Sequence, residues 1–286
     1  MTNTLRLLVP QWQGGESEAY PMGARLLEWL APAGDCPTVE IAVEPFDPAP
    51  LLSREGVAGL DHLTAHIRDI AARINQHKPD RLVVFGGDCL VSQAPFSYLS
   101  KLYGGELGVL WLDAHPDVAT AKERSRGHTM VLANLLGRGE PALSEGVTSP
   151  IPPERVMMVG LSKLFDYEDD RLTEFGVARI AADDLGDNRG VMDWLRDTGI
   201  TRLAIHLDLD VLSPQAFRSQ GFALPMQKLD STQLQRSGSM SFDQVASLIR
   251  AVSASVDVVG LSITEHLPWD VVNLQKLLKQ FPILSG

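Results

Sequence analysis

The stretch Leu107-Gly108-Val109-Leu110-Trp111-Leu112-Asp113-Ala114-His115-Pro116-Asp117 decides the reading of this chain. Its first six residues are apolar without alternation, the pattern of a strand buried on both faces, as in parallel sheets. Side chains two apart on extended backbone share a face, so Asp113, His115 and Asp117 converge if the strand direction continues past Leu112. A second stretch, Leu203-Ala204-Ile205-His206-Leu207-Asp208-Leu209-Asp210, presents two more carboxylates in the same way. One carboxylate at a strand end is compatible with a helix cap or a turn. Five ligand-type side chains crowded at one sheet edge would repel without a cation, so the two stretches together predict a divalent metal site.

Working outward, short apolar runs alternate with amphipathic ones: residues 5–9 then 23–30, 39–43 then 60–74, 82–85 then 91–102. Further strands are predicted at 156–159, 178–180, 203–207 and 256–261, and helices near 190–197, 242–255 and 271–278. This switching of the hydrophobic period predicts an α/β fold, a three-layer αβα sandwich with a mostly parallel central sheet. In such sheets chemistry collects at the carboxyl ends of the strands. Four predicted strands end in polar residues: Gly86-Gly87-Asp88-Cys89, the Asp113 segment, the Asp208 segment and Thr264-Glu265-His266. Residues 212–241 are rich in Ser and Gln and lack a clear period, which makes them a candidate lid or specificity loop. No internal repeat or linker divides the chain, so a single domain over residues 1–286 is expected.

A chain of 286 residues, 44% of them hydrophobic, can bury a full core. The net charge of -11 and the absence of a Lys/Arg cluster argue against a nucleic-acid partner. No apolar stretch reaches the roughly 18–20 residues that span a bilayer, so no membrane partner is expected. Two cysteines, Cys36 and Cys89, are too few for a disulfide framework, and the N-terminal residues lack the pattern of a signal peptide. A cytoplasmic protein is expected.

The motifs Gly86-Gly87-Asp88-Cys89, Asp113-Ala114-His115-Pro116-Asp117, Gly127-His128, Asp208-Leu209-Asp210 and the Glu265 strand end resemble, in order and separation, those of the arginase family of ureohydrolases. That family includes arginase, agmatinase and formimidoylglutamase, and the resemblance runs from about residue 82 to 268. It implies an arginase/deacetylase-like fold and two Mn²⁺ ions bridged by a hydroxide that attacks a guanidinium or amidine carbon. By resemblance Asp113 and Asp208 would bridge the metals, His115 and Asp210 would complete one site, and Asp117 would serve the other. Carboxylates suit Mn²⁺, and two cations acidify a bridging water. His128 matches the proton-transferring histidine, and an imidazole suits proton delivery to an amine near neutral pH. Glu265 matches the carboxylate that holds the substrate's cationic group, for which a planar fork of donors is the natural partner. The implied partners are a small guanidino or amidino substrate, with urea or formamide as co-product, and further copies of the chain in a trimeric or hexameric homo-oligomer.

Three places depart from the family pattern. Cys89 stands where the family has its first histidine ligand; a thiolate can bind metal but favours Zn²⁺ or Fe²⁺ over Mn²⁺, so one ion in place of two is an open alternative. Ser213 stands where an aspartate usually precedes the proline matching Pro214, which bears on loop shape. Residues 118–127 lack the Asn that arginases use on the α-groups of arginine, and Arg124 or Arg126 could instead pair with a substrate carboxylate. Two readings compete with the hydrolase: a non-catalytic ligand-binding or regulatory protein on the same scaffold, and a metal-independent enzyme with Cys89 as nucleophile and a nearby His as base.

Overall fold

The apolar run 107–112 is a strand with every residue buried, and its period of two divides it between two cores. Val109 and Trp111 join a cluster with Leu63, Ile67, Phe96 and Leu99. Leu110 and Leu112 face the opposite way, against Val191, Leu195, Leu248 and Val252. This computed structural model describes residues 3–224 and 230–278. In chain order the elements are β1 (Thr4–Val9), α1 (Tyr20–Leu30), β2 (Thr38–Glu40), β3 (Ser53–Arg54), β4 (Val57–Ala58), α2 (Leu60–His77), β5 (Arg81–Gly86) and α3 (Gln93–Tyr103). They continue with β6 (Leu107–Leu112), α4 (Val131–Leu135), α5 (Pro141–Ser144), β7 (Val156–Val159), α6 (Asp166–Phe175), β8 (Ala178–Ile180) and α7 (Arg189–Thr198). The last are β9 (Arg202–Asp208), α8 (Ser231–Gln235), α9 (Phe242–Ser255), β10 (Asp257–Thr264) and α10 (Trp269–Leu278).

Eight strands form one sheet in the order β2-β1-β5-β10-β9-β6-β7-β8. Every pairing within it is parallel, and the antiparallel pair β3–β4 stands apart. Helices α2 and α3 cover one face and α7 and α9 the other, which is the α/β architecture expected from the alternating period. On α2 the buried residues Leu60, Leu63, Ile67, Ile70 and Ile74 make the apolar stripe that docks it. Helix α9 begins at Ser241, whose side chain accepts the Gln244 amide while the Gln244 side chain accepts the Ser241 amide, a reciprocal cap that fixes the start.

The structure departs from expectation in three places. The strand expected at 39–43 pairs only over Thr38–Glu40. Helices α4, α5, α6 and α8 were not expected; α6, for example, buries only Glu168 and Leu172 and so carries no apolar period. Helix α8 interrupts the segment 212–241 and is capped by Asp230, while residues 225–229 of that segment lie outside the described residues. No helix among the described residues is long and apolar enough to cross a membrane.

Helix α1 meets the end of β10 backbone to backbone. A Cβ on Gly23 would lie 1.7 Å from the His266 carbonyl oxygen, and His266 Nδ1 itself contacts the Gly23 carbonyl at 3.1 Å. Substitution Gly23→Ala is therefore expected to lower stability by about 1–3 kcal/mol, read as a lower urea midpoint with unchanged slope. A midpoint within error of the wild type would refute this close packing.

Candidate active site

Four adjacent strands at the middle of the sheet, β5, β10, β9 and β6, bring the polar ends together. The ladder places Leu112 beside Leu207, Asp208 beside Thr264, and Ile263 beside Phe85, so the four ends lie level. Three of them turn by the same device. Asp88 accepts the Leu90 amide at 3.1 Å, Asp113 the His115 amide at 2.6 Å, and Asp208 the Asp210 amide at 2.7 Å. Each aspartate thus bends its own backbone as an Asx turn while its remaining oxygen lone pairs stay available. The turn-former and ligand readings are compatible here, because one carboxylate can serve both.

The predicted residues gather in overlapping groups. Asp113, His115 and Asp210 place ligand atoms within 4.8 Å of one another, as do Cys89, His128 and Glu265. His115 Nδ1 lies 3.1 Å from Asp210 Oδ2 and 3.6 Å from Asp113 Oδ1. His128 Nδ1 lies 3.2 Å from Glu265 Oε1, and the Cys89 thiol donates to Asp208 Oδ2 at 3.0 Å. A third group consists of Cys89, Asp113, Asp208 and His206. Asp117 belongs to none of the three, although its buried Oδ2 has no hydrogen-bond partner among the described residues.

Burial makes the cluster costly as it stands. It raises the pKa of Asp113 to about 7, and burial followed by neighbouring carboxylates raises Asp117 and Asp208. For Asp210 burial acts in the same direction, but His115 outweighs it and holds the group low. Burial, then Asp208 and the other acids, pushes the Cys89 thiol well up. That is the opposite of the electropositive surroundings that activate a cysteine, so nothing in the geometry favours the nucleophile reading. Three buried side-chain atoms of these residues, Asp117 Oδ2, Asp210 Oδ1 and His206 Nε2, lack a hydrogen-bond partner among the described residues. Orphaned acceptors among paired carboxylates fit a divalent cation.

Two residues of the site hold left-handed backbone conformations that non-glycine residues rarely adopt, Asp117 at φ 51° and Glu265 at φ 61°. Packing overrides that preference. The Glu265 amide donates to the Gly87 carbonyl at 2.8 Å, and its Oε2 accepts a hydrogen bond from the buried Tyr20 hydroxyl of α1. Asp88 accepts Gln11 Nε2 at 2.9 Å and the Gly14 amide at 3.0 Å, and Gln11 Oε1 meets His66 Nδ1 at 3.0 Å. Sequence reading missed Tyr20, Gln11 and His66, which carry no motif spacing. It also passed over His206, for which a signal existed: two residues before Asp208, it shares that residue's face.

A cavity of about 520 Å³ opens onto the groups, with Tyr20, Cys89, His115, Asp208, Asp210 and Glu265 among its lining. Segment 212–241 contributes Phe222, Gln233 and Arg236, Phe222 stacking on His115 at 5.5 Å. Ser213 shapes the start of that segment, its hydroxyl accepting the Ala216 amide. Three arginines stand at the cavity. Arg126 pairs with Glu16 at 3.0 Å, and Arg236 grips Glu168 at 2.9 and 3.0 Å. Arg124 lies 4.9 Å over the Phe165 ring and has no carboxylate in ion-pair range among the described residues.

Comparison with known proteins agrees with this architecture. A sequence model described as the arginase family matches residues 24–269. The arginase of Bacillus caldovelox is 34% identical over 136 residues, a segment covering 45% of this chain and 45% of that protein. Among solved structures, the Entamoeba histolytica arginase in complex with L-ornithine superposes with a TM-score of 0.77 at 18% identity, over 94% of this chain and 92% of that one. The native B. caldovelox arginase gives 0.76 at 23% identity, covering 94% and 92%. With the family match spanning most of its length and the fold shared throughout, the chain belongs to the arginase family.

Proposed function

We propose that this protein is a metal-dependent hydrolase that cleaves a C–N bond of a guanidino or amidino acid. The observation that carries the reading is that His115 and Asp210, grouped with Asp113, line one cavity together with His128 and Glu265. Asp113, Asp208, Asp210 and His115 would hold the cation, and Cys89 would reach a second, for which the resemblance also implies Asp117. When bound, divalent ions supply Lewis acidity and a water acidified enough to act as nucleophile near neutral pH.

The chain's own residues supply the rest. A carboxylate offers about four lone-pair positions; Tyr20 and His128 take one on each oxygen of Glu265, which leaves one on each for two N–H groups of an amidinium. His128 is partly buried, which disfavours its charge, but its bond to Glu265 outweighs this and raises its pKa. That pairing favours the protonated imidazole, which would serve the departing amine. Arg124, the arginine of the cavity lining without a carboxylate partner among the described residues, would take a carboxylate of the substrate. The cavity is acidic in its depth and basic at Arg124, so it complements a molecule with an amidine at one end and an acid at the other. Mn²⁺ is the cation that the resemblance implies.

A second reading, a ligand-binding protein without turnover, draws on the Cys89–Asp208 bond, which occupies an oxygen that a cation would need. The two readings separate on product. Protein loaded with Mn²⁺, Zn²⁺ or Fe²⁺ is expected to release urea, ammonia or formamide from at least one guanidino or amidino acid, and Glu265→Gln to abolish the release. Ligand binding with no release under any loading would establish the second reading.

Two further outcomes follow from the same geometry. Arg124→Ala is expected to raise KM for the carboxylate-bearing substrate about 10–100-fold, the worth of one charge-assisted bond, with little change for an analogue lacking the carboxylate. Equal losses on both compounds would remove Arg124 from recognition. Chelation is expected to lower Tm, and restoring a divalent ion at about 100 times its Kd to raise it by about 5–10 °C. An unchanged Tm with every ion tried would sink the metal centre.

A further inference from the structure

We propose that His206 is a metal ligand, returning from the middle of strand β9 the imidazole that position 89 has lost, and that it completes with Cys89, Asp113 and Asp208 a four-donor site for a borderline ion such as Zn²⁺, Fe²⁺ or Co²⁺. The proposal rests on the reading of the cluster as a metal centre and is independent of the substrate.

The ligand atoms of Cys89, Asp113, His206 and Asp208 all lie within 4.8 Å of one another, and all four residues are buried. His206 is fully buried, and its Nε2 has no hydrogen-bond partner among the described residues. The nearest carboxylate oxygen, Asp113 Oδ2, is 3.9 Å away, too far for a hydrogen bond. A histidine serving only as core filler would leave that nitrogen desolvated for nothing, and an apolar side chain would fill the space better.

The other ring nitrogen fixes the tautomer. Ser92 Oγ donates its hydrogen to Ser262 Oγ at 2.7 Å, so toward His206 Nδ1, 2.9 Å away, it can only accept. Nδ1 therefore carries the hydrogen and Nε2 keeps a lone pair aimed into the cluster, the arrangement of a metal-ligating imidazole whose second nitrogen is held by the protein. Orientation is fixed as well. The Trp111 ring stacks on His206 at 3.7 Å and 16°, and Trp111 Nε1 donates to Asp113 Oδ2 at 3.1 Å. One tryptophan thus holds two of the four candidate ligands.

The donor set sets the metal class. One thiolate, one imidazole and two carboxylates match four-coordinate Zn²⁺ and its neighbours better than an all-oxygen site would. On binding, the Cys89 thiol gives its proton to solvent and its sulfur exchanges the Asp208 hydrogen bond for the metal. Asp113 also belongs to the group with His115 and Asp210, so a second ion can share it.

The test is a Co²⁺ titration of the chelator-stripped full chain, read by absorption and by metal content. Wild-type protein is expected to show a thiolate-to-cobalt charge-transfer band and the intense visible bands of a four-coordinate ion, with Zn²⁺ displacing it. Cys89→Ser should lose the charge-transfer band. His206→Gln should keep that band but weaken Co²⁺ binding by more than about 10-fold and shift the visible bands. If His206→Gln fails to fold, Ser92→Ala leaves the ligand in place but frees its ring, and should weaken binding about 10–100-fold with the band retained. Unchanged affinity and visible spectrum in His206→Gln, or unchanged affinity in Ser92→Ala, overturns the proposal while the metal centre stands. Wild-type binding without a charge-transfer band overturns it through Cys89, and no Co²⁺ binding at all removes the metal centre itself.

Discussion

Six carboxylates, Asp88, Asp113, Asp117, Asp208, Asp210 and Glu265, are buried at the carboxyl ends of four neighbouring strands, and much of the surrounding structure exists to hold them there. Two like charges about 4 Å apart repel by about 4 kcal/mol at an effective dielectric of 20. Backbone amides offset part of this. Asp88, Asp113 and Asp208 each take an amide two residues on, at about 1.5–3 kcal/mol for a bond to a charged group. Protonation and His115 relieve more, as the raised pKa values of Asp113, Asp117 and Asp208 and the lowered one of Asp210 record. A divalent cation would relieve the remainder and engage the orphaned atoms as well.

The same constraint explains why the first quarter of the chain is bound to the site, though no motif lies in it. Gln11 and Gly14 hold Asp88, Tyr20 holds Glu265, and Gly23 lets α1 approach the carbonyl of His266. Each contact restrains a residue at the end of β5 or β10. The left-handed conformation of Glu265 persists because its amide, its carboxylate and the residue after it are all engaged. Tyr20 and His128 hold Glu265 by both oxygens and so fix its carboxylate where it lines the cavity.

The fold was legible because the strands carry it. Continuous apolar runs such as 107–112 can be satisfied only between two layers, and the alternate placing of Val109 and Trp111 against Leu110 and Leu112 bears that out. The strand ends were legible for the same reason, since period two fixes which side chains meet. Elements that bury little were not: α6 keeps two residues inside, and the run 39–43 leaves the ladder after Glu40 although Ile41 stays buried. At the site, side chains defined by long-range partners escaped reading. Glu16 and Glu168 pair with Arg126 and Arg236, whereas Arg124 has no carboxylate partner among the described residues, a distinction that no local pattern carries. His206 escaped because it sits inside an apolar run and looked like part of the strand.

That position has a consequence for the whole centre. A ligand on β9 two residues before Asp208 sits one pleat deeper in the sheet than a ligand on the loop after β5. Trp111 lies directly across from it on β6, and strand-borne ligands are held more rigidly than loop-borne ones. A cation held by His206 would lie among Cys89, Asp113 and Asp208, a group that excludes Asp117, which by resemblance would serve that site. The proposed imidazole at 206 and the place of Asp117 outside that group would then be one change seen at two residues. Asp117, with a buried oxygen that has no hydrogen-bond partner among the described residues and an unusual backbone angle, would be left to face the cavity that it lines.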